Sequence, residues 1–277
     1  MVSLKLEIGN KVDYIREETS NDNQLLWINE GFENRDFRRF IEEIEIQKDG
    51  EKIYDVRNAL IHFQADDIPG INEDIIIKKF NLTRRYDKLR FCFLDSKAVR
   101  SLKLALALEE VGLRTPKPIA LLERRGRFNK IIYSYFITEY IDYDYNLLDI
   151  LKDDNHPLRN KVKDWLPQIA KDIKGMHDAG IVHNDLHAGN ILVKDIDKSP
   201  KFYYIDLNRG RIKNNLDIKS RMKDLARFKL TEDEQRIFMK YYAPQEYQRI
   251  LSLMIKHRDK RKKFLYWKRQ IKQLFKK

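Results

Sequence analysis

The segment from residue 181 to residue 193, IVHNDLHAGNILV, places polar groups between two apolar runs and follows the pattern H-x-D-L-x-x-x-N. Phosphoryl transfer requires a carboxylate that orients the attacking hydroxyl and accepts its proton, together with oxygen ligands that hold Mg²⁺ on the nucleotide phosphates. Asp185 suits the first role and Asn190 suits the second. The segment therefore predicts a catalytic base and a metal ligand in one loop.

A third oxygen donor, Asp206, is predicted from the hairpin that follows this segment. Residues 191–194 and 201–205 have the composition of two strands, and residues 195–200 that of a turn. With the turn centred on residue 198, Asn190 and Asp206 reach the same end of the hairpin. A single Asp or Asn in a loop is most often a turn or cap residue, but the spacing and the hairpin together favour one shared cation.

The spacing of His183 and His187, four residues apart, raises the alternative of a zinc site. Gly180 and Gly189 flank these histidines and interrupt any helix, and the sequence offers no third ligand and no H-E-x-x-H pattern. Zinc is therefore not expected.

The elements that must position these residues change in type along the chain. The first half has the pattern of an antiparallel sheet with one helix, and the second half that of several helices. Candidate strands cover residues 59–63, 75–80, 119–122 and 131–141, and candidate helices cover 95–112, 158–179, 220–228, 231–242 and 245 to the end. We predict an α+β chain with a β-rich unit at residues 1–140 and a mainly helical unit at residues 141–277.

Composition and charge limit the classes of protein that remain. The single cysteine, Cys92, cannot form an internal disulfide, the first ten residues lack the apolar run of a secretory signal, and no segment is long and apolar enough to span a membrane. These features predict a cytoplasmic protein. Residues 256–277 carry 11 Lys or Arg against one acidic residue, which is +10 of the total charge of +12.

This basic tail also contains aromatic and aliphatic residues and has the pattern of an amphipathic helix. Two interpretations fit this pattern, and they are compatible with each other: a core-packed helix with a solvated basic face, and a docking element for an anionic membrane surface or glycolipid. Nucleic acid is not expected as a partner, because no nucleic-acid-binding motif accompanies the charge.

The motif HNDLHAGN together with YIDLNRGR at residues 204–211 resembles the lipopolysaccharide-core kinases, which phosphorylate Kdo or heptose on lipid A and have a protein-kinase-like fold. The resemblance extends to SKAVRS at residues 96–101, GLRTP at 112–116 and SYFITEY at 134–140, and it covers roughly residues 53–242. It implies a bilobal fold with a mainly antiparallel N-lobe and a mainly helical C-lobe.

The resemblance also implies roles for individual residues. Asp185 would be the catalytic base, Asn190 and Asp206 would hold Mg²⁺, and a lysine on the third strand would contact the phosphates of ATP. Lys78 is the candidate for that lysine. Lys79 remains an alternative, because neighbouring side chains on a strand point to opposite faces. The backbone from Glu139 to Ile141 would bind adenine, although the same residues could be an ordinary core edge.

The sequence departs from the kinase pattern at several positions. No Gly-rich loop precedes Lys78, so phosphate contacts there would come from Arg57, Asn58 or backbone amides. The glutamate that normally pairs with the strand lysine falls near Ser101, and Glu109 or Glu110 would have to replace it. Asn184 precedes the catalytic aspartate in place of arginine, and Asn208 replaces a glycine, which argues against control by activation-loop phosphorylation.

The pattern predicts an ATP- and Mg²⁺-dependent kinase that acts on a lipopolysaccharide inner-core or lipid A-linked sugar. Its expected location is the cytoplasm or the cytoplasmic face of the inner membrane. Two alternatives remain open: a catalytically silent kinase-like binding module, and a kinase acting on a protein or small molecule.

Overall fold

The computed structural model describes residues 4–8, 11–15, 18–20, 23–45, 50–56 and 58–274. The chain divides into two compact units. One comprises Met1–Asp142 with Asp206–Gly210, and the other comprises Tyr143–Ile205 with Arg211–Lys277.

The first unit is built on a seven-stranded sheet in which all neighbouring strands are antiparallel. The strands of the unit are β1 (Leu4–Ile8), β2 (Lys11–Ile15), β3 (Glu18–Ser20), β4 (Gln24–Ile28), β5 (Glu51–Asp55), β6 (Asn58–Phe63), β7 (Ile75–Phe80), β8 (Pro118–Arg125) and β9 (Ile131–Glu139). The sheet order is β3-β4-β8-β9-β7-β6-β5, and β1 and β2 form a separate hairpin. Its helices are α1 (Arg35–Glu42), α2 (Arg85–Arg90) and α3 (Lys97–Glu110).

Helices α1 and α3 cover this sheet because each has an apolar face and a side-chain cap. Asn34 caps α1 by accepting from the Phe37 amide, and Ser96 caps α3 by accepting from the Val99 amide. Phe37 of α1 joins Ile77 of β7 in the core, where both side chains are fully buried. The β-rich first unit and its strand at Ile75–Phe80 agree with the predicted pattern, and α3 begins within two residues of the predicted start.

The second unit is mainly helical. Its helices are α4 (Leu147–Lys152), α5 (Val162–Asp178), α6 (Ile218–Leu225), α7 (Glu232–Tyr242) and α8 (Tyr247–Leu274). Its short strands are β10 (Tyr145–Asn146), β11 (Ile181–Val182), β12 (Ile191–Lys194), β13 (Lys201–Tyr204) and β14 (Arg211–Ile212). Helix α5 packs against α7, and α8 packs against α6 and α7. The α+β class is confirmed.

Several predicted boundaries were wrong. The α5 helix begins at Val162 rather than residue 158, because residues 153–161 form tight turns in which Asp153 and His156 side chains accept backbone amides. Strand β9 ends at Glu139, two residues before the predicted end. In the hairpin that follows the loop, Ile191 pairs with Tyr204, and Asn190 lies opposite Ile205, the residue before Asp206.

Candidate active site

A buried aspartate on α6 fixes the start of the loop that carries Asp185. Asp224 is 1% exposed, and its Oδ2 accepts the backbone amide of His183 at 2.8 Å. His177 Nε2 lies 3.5 Å from the same oxygen, an ion-pair distance. Burial acts to raise the pKa of Asp224, but His177 and the His183 amide outweigh burial and hold this pKa below its ordinary value. A charged anchor thus fixes the start of the loop.

His183 then connects the loop to the hairpin through its ring. Its Nε2 lies 3.0 Å from the Ile205 carbonyl, and its Nδ1 accepts the Asp185 amide at 3.3 Å. His187 Nδ1 accepts the Gly189 amide. Both rings therefore serve the backbone of the loop. Over the ranges that the structure describes, no group of three or more His, Cys, Asp or Glu side chains is arranged to hold a metal ion.

Asp185 is paired with an arginine that the sequence analysis did not single out. Arg227, just beyond the C-terminal end of α6, places its Nη1 2.7 Å from Asp185 Oδ1. Both side chains are largely buried, with 16% of Asp185 and 23% of Arg227 exposed. The contact fixes the orientation of the carboxylate and keeps a positive charge beside it.

Asn190 has its amide nitrogen committed within the loop. Its Nδ2 donates to the Asp185 backbone carbonyl at 2.9 Å, and its backbone carbonyl accepts the Ile205 amide at 3.0 Å. Because the nitrogen is used in this way, the amide oxygen is the atom suited to a cation. Asp206 is the residue that follows Ile205 in the chain.

Within the first unit, Asp206 meets Lys78 although 128 residues separate them. Lys78 Nζ donates to Asp206 Oδ1 at 2.6 Å, and the Asn208 amide donates to the same oxygen. Asp206 adopts a left-handed backbone, with φ of 59° and ψ of 48°, a conformation uncommon for residues other than glycine and found at strained functional positions. Two donors thus hold its carboxylate in one orientation.

Helix α3 restrains the chain segment that follows Asp206. It packs against residues 207–209, and a Cβ at Gly210 would come within 1.8 Å of a Leu104 methyl group. A side chain at residue 210 would therefore have to displace the Leu104 side chain of α3. The contact restrains the backbone immediately after Asp206.

The two neighbouring lysines of β7 have different surroundings. Lys79 Nζ pairs with Glu45 at 2.9 Å and lies 5.2 Å from the centre of the Tyr135 ring. Lys78 instead faces Asp206 and is less exposed, at 18% against 38% for Lys79. The geometry thus favours Lys78 over Lys79 as the nucleotide-facing lysine.

The acid that pairs with Lys78 is Asp206, not Glu109 or Glu110 as suggested from the sequence. Ser101, which occupies the expected glutamate position, donates its hydroxyl to the Lys97 carbonyl. Glu109 lies near Lys117 and Glu139: burial raises the pKa of Glu109, with Lys117 acting to lower it and Glu139 acting to raise it. Glu110 is exposed.

Positive charge accumulates around Lys78 within the first unit. Burial lowers the pKa of Lys97 at the start of α3, Asp87 opposes this shift, and the nearby Arg100, Arg209 and Lys78 lower the pKa further. A cluster of cations this close together favours an anionic group among them.

The segment expected to bind adenine follows β9 in the first unit. The Glu139 amide donates to the Lys117 carbonyl, the Glu139 carboxylate accepts the Lys117 amide, and the Tyr140 amide donates to the Asp74 backbone carbonyl. The Ile141 side chain is buried. The Glu139 amide is therefore engaged, which leaves its carbonyl and the Ile141 amide as the groups suited to adenine.

Arg57 and Asn58 are the two residues expected to contact phosphate in place of a Gly-rich loop. Arg57 lies outside the described residues. Asn58 opens β6 opposite Phe80, and among the described residues its buried Oδ1 has no hydrogen-bond partner. An oxygen acceptor does not suit a phosphate, so only the amide nitrogen of Asn58 could serve there.

Comparison with known proteins identifies a family model and several relatives that the chain matches. Residues 80–253 match the model of the lipopolysaccharide kinase (Kdo/WaaP) family. A 3-deoxy-D-manno-octulosonic acid kinase of Haemophilus influenzae strain PittGG is 30% identical over 159 residues, which cover 55% of this chain and 63% of that protein. The corresponding protein of Mannheimia succiniciproducens is 28% identical over 181 residues, covering 64% and 73%. The chain thus spans less than two thirds of the Haemophilus relative.

Among solved structures, WaaP in complex with acyl carrier protein aligns with a TM-score of 0.59 and 18% identity, covering 86% of this chain and 98% of that one. The likeness confirms the protein-kinase-like fold. None of the helices in the described ranges combines the length and apolar character needed to cross a bilayer.

Proposed function

Since this chain belongs to the lipopolysaccharide kinase (Kdo/WaaP) family, we propose that it transfers the γ-phosphoryl group of ATP to a sugar hydroxyl of the lipopolysaccharide inner core. The acceptor would be Kdo or heptose linked to lipid A. Kinase relatives of the chain are named for 3-deoxy-D-manno-octulosonic acid, which favours Kdo.

The observation that carries this proposal is the contact between Lys78 and Asp206. The two side chains come from distant parts of the sequence, and their charged atoms are 2.6 Å apart in a half-buried position. A lysine that contacts phosphates beside an aspartate that binds their metal ion is the arrangement phosphoryl transfer requires. A purely structural ion pair would not explain the further cations near Lys78.

In the proposed reaction, Asp185 orients the sugar hydroxyl and accepts its proton. A bond forms between the hydroxyl oxygen and the γ-phosphorus while the bond from that phosphorus to the β,γ-bridging oxygen breaks, and ADP leaves. Arg227 keeps the Asp185 carboxylate in a fixed orientation. Lys78 offsets negative charge on the phosphates. The Glu139 carbonyl and the Ile141 amide would bind adenine.

The donor set fits Mg²⁺. The cation would be held by the Asp206 carboxylate and the Asn190 amide oxygen, both hard oxygen ligands. Phosphate oxygens and water complete the coordination of Mg²⁺ in kinases, so two protein ligands are sufficient. When bound, the ion would neutralise charge on the transferred phosphoryl group.

Residues 256–274 of the basic tail form the distal part of α8, and their side chains support peripheral membrane binding. The proximal part is packed, with Ile250 and Met254 buried. Farther along, Phe264, Trp267 and Ile271 are exposed at spacings that place them on one face of the helix. Surrounding Lys and Arg side chains would each contribute about 1 kcal/mol at an anionic surface. We propose that this face docks on the cytoplasmic side of the inner membrane, where a lipid-linked acceptor would lie.

Mass spectrometry of lipopolysaccharide tests the proposed function. A strain lacking the chain should lose one core phosphate, and the wild-type chain but not Asp206→Ala should restore it. Lipopolysaccharide of unchanged mass in the deletion strain would contradict the proposal and favour a silent module or another acceptor.

A further inference from the structure

A second exposed surface of the first unit combines aromatic and basic side chains, and it lies outside the residues used for phosphoryl transfer. Its apolar members are Tyr86 and Leu89 of α2, Phe93 in the segment that follows, and Phe128 in the turn between β8 and β9. Phe93 is 82% exposed and Phe128 is 79% exposed. Large aromatic side chains at this exposure are costly in water unless they meet a partner.

We call this surface the aromatic–basic patch. Hydrogen bonds join its two parts, the segment that carries Phe93 and the turn that carries Phe128. Asn129 Nδ2 donates to the Cys92 carbonyl at 2.7 Å, and Arg125 Nη1 donates to the Phe91 carbonyl at 2.9 Å. These bonds place the turn that carries Phe128 beside the segment that carries Phe93. The two exposed rings therefore belong to one surface.

The exposure of these rings is built into the fold and does not come from a loose segment. Phe91 is 2% exposed, with Arg100 5.0 Å from its ring centre, so it anchors the chain two residues before Phe93. Phe128 adopts a left-handed backbone with φ of 58°, a genuine outlier for a bulky residue. Backbone strain of this kind is found at functional positions, and here it holds a ring in solvent.

The charges of the patch are positive. Arg84 precedes α2, Arg85 is its first residue, and Lys88 lies beside Leu89; all three side chains are exposed. The two acids of the segment are directed elsewhere: Asp95 pairs with Lys103 at 2.9 Å, and Asp87 interacts with Lys97. The patch therefore offers cations next to exposed aromatic rings, the combination that binds the interface of an anionic bilayer.

We infer that the aromatic–basic patch is a second membrane-docking surface, which inserts Phe93 and Phe128 into the headgroup region while Arg84, Arg85 and Lys88 contact anionic lipids. The inference does not depend on phosphoryl transfer, since vesicles with neither sugar acceptor nor ATP can test it.

The first test is sedimentation of the full chain with vesicles of phosphatidylcholine and phosphatidylglycerol, 3:1. Replacing Phe93→Ser with Phe128→Ser should lower the partition coefficient at least about tenfold, since two aromatic side chains no longer leave water. Arg84→Gln with Arg85→Gln should lower binding and weaken its dependence on salt. The matched controls are Tyr241→Ser and Lys163→Gln with Lys171→Gln, which remove an exposed ring and two exposed charges elsewhere.

The patch substitutions must also lower vesicle binding in a chain whose basic tail already carries Phe264→Ser with Trp267→Ser. Loss of binding from the tail substitutions alone, with none from the patch substitutions, would overturn the inference. Failure of this test would leave the kinase proposal untouched, because that proposal is measured by phosphate transfer.

A second measurement keeps Phe128 and the basic residues of the patch in place and reads the surroundings of residue 93 directly. Because the chain has one cysteine, Cys92→Ser with Phe93→Cys moves the reactive thiol to the exposed position. An environment-sensitive dye at residue 93 should shift to the blue with anionic vesicles and not with phosphatidylcholine alone. A dye introduced by Cys92→Ser with Tyr241→Cys should not respond. A response to polyglutamate but not to vesicles would assign the patch to an acidic protein and overturn the inference.

Discussion

Lys78 and Lys79 are adjacent residues of the same type, yet the structure gives them different partners. Lys78 contacts Asp206 inside the first unit, whereas Lys79 pairs with Glu45 at the surface. Strand alternation allowed the sequence to separate the two lysines by face, but it could not show which face carries the aspartate.

Replacing each lysine in turn should separate their roles. Lys78→Met should lower kcat/KM about 10²-fold or more, because a charge-stabilising donor is lost at the phosphates. Lys79→Met should leave kcat/KM within about twofold and change the free energy of unfolding by less than about 1 kcal/mol, since a surface ion pair contributes little. Steady-state kinetics and urea unfolding measure both. Equal loss of activity in the two variants would contradict the assignment of Lys78.

Arg227 should act as a positioning residue for Asp185. We expect Arg227→Met to lower kcat by about 10²-fold with little change in the KM for ATP, because a misplaced carboxylate affects the transfer step more than nucleotide binding. Arg227→Lys should recover part of the loss.

The matched control for Arg227 is an arginine of α6, the helix that Arg227 follows. Arg221 pairs with Asp178 rather than with a predicted site residue, so Arg221→Met should retain kcat. An Arg227→Met enzyme with wild-type kcat would show that this ion pair is only structural.

At this scale the sequence reveals the residues that belong to a compact motif and misses those that support them. Asp185 and Asn190 stand in one loop with a recognisable spacing. Asp224 and Arg227 contact that loop from about 40 residues away, and no spacing rule connects them to it. The only signal for Asp224 was a carboxylate beside apolar residues on an amphipathic helix.

At the scale of elements, α7 shows which local signals were sufficient. Thr231 and Glu234 form a reciprocal cap, with the Glu234 amide donating to the Thr231 hydroxyl and the Thr231 amide donating to the Glu234 carboxylate. The sequence placed this start correctly because the cap is local. The start of α5 was misplaced because its preceding turns depend on side chains that bond to the backbone outside the helix.

The same cap predicts a pH dependence of stability. Burial acts to raise the pKa of Glu234, but hydrogen bonds from Arg159 and the Thr231 amide outweigh it and hold the pKa below its ordinary value of 4.5. A carboxylate with a lowered folded-state pKa stabilises the fold fully above that ordinary value, and this contribution is lost as the pH falls through the folded-state pKa.

Glu234→Gln should therefore unfold more easily than wild type at pH 7, by about 1–3 kcal/mol. The difference should shrink as the pH falls below 4.5. Glu232→Gln, in the first turn of the same helix and highly exposed, is the control and should show little difference at either pH. Denaturant unfolding at pH 7 and pH 3.5 makes the comparison, and a difference independent of pH would contradict the account.

At the scale of the whole molecule, charge is concentrated where α8 leaves its packing partners. The packed turns around Ile250 and Met254 lie before the basic tail, and the exposed rings of Phe264 and Trp267 lie within it. Composition predicted a terminal helix with a basic face and left open whether residues 256–277 pack against the core or dock on an anionic surface. It could not show where one ends and the other begins, because that depends on the position of α6 and α7.

Phe264→Ser with Trp267→Ser should lower phosphorylation of a vesicle-embedded glycolipid about tenfold, since less enzyme is bound at the surface where the acceptor lies. Phosphorylation of the same acceptor dispersed in detergent should not change. Tyr241→Ser is the control for loss of an exposed ring. Equal losses in vesicles and detergent would assign these aromatic residues to the fold rather than to membrane docking.

The most direct test of the account is transfer of radiolabelled phosphate from ATP to a Kdo-bearing lipid A acceptor by wild type, Asp185→Asn and Asp195→Asn. Asp195 lies in the hairpin turn and pairs with Lys201, so its replacement controls for the loss of one carboxylate. The account predicts labelled acceptor with wild type and Asp195→Asn, and a rate about 10² to 10⁴ lower with Asp185→Asn. Equal rates for Asp185→Asn and wild type would contradict it.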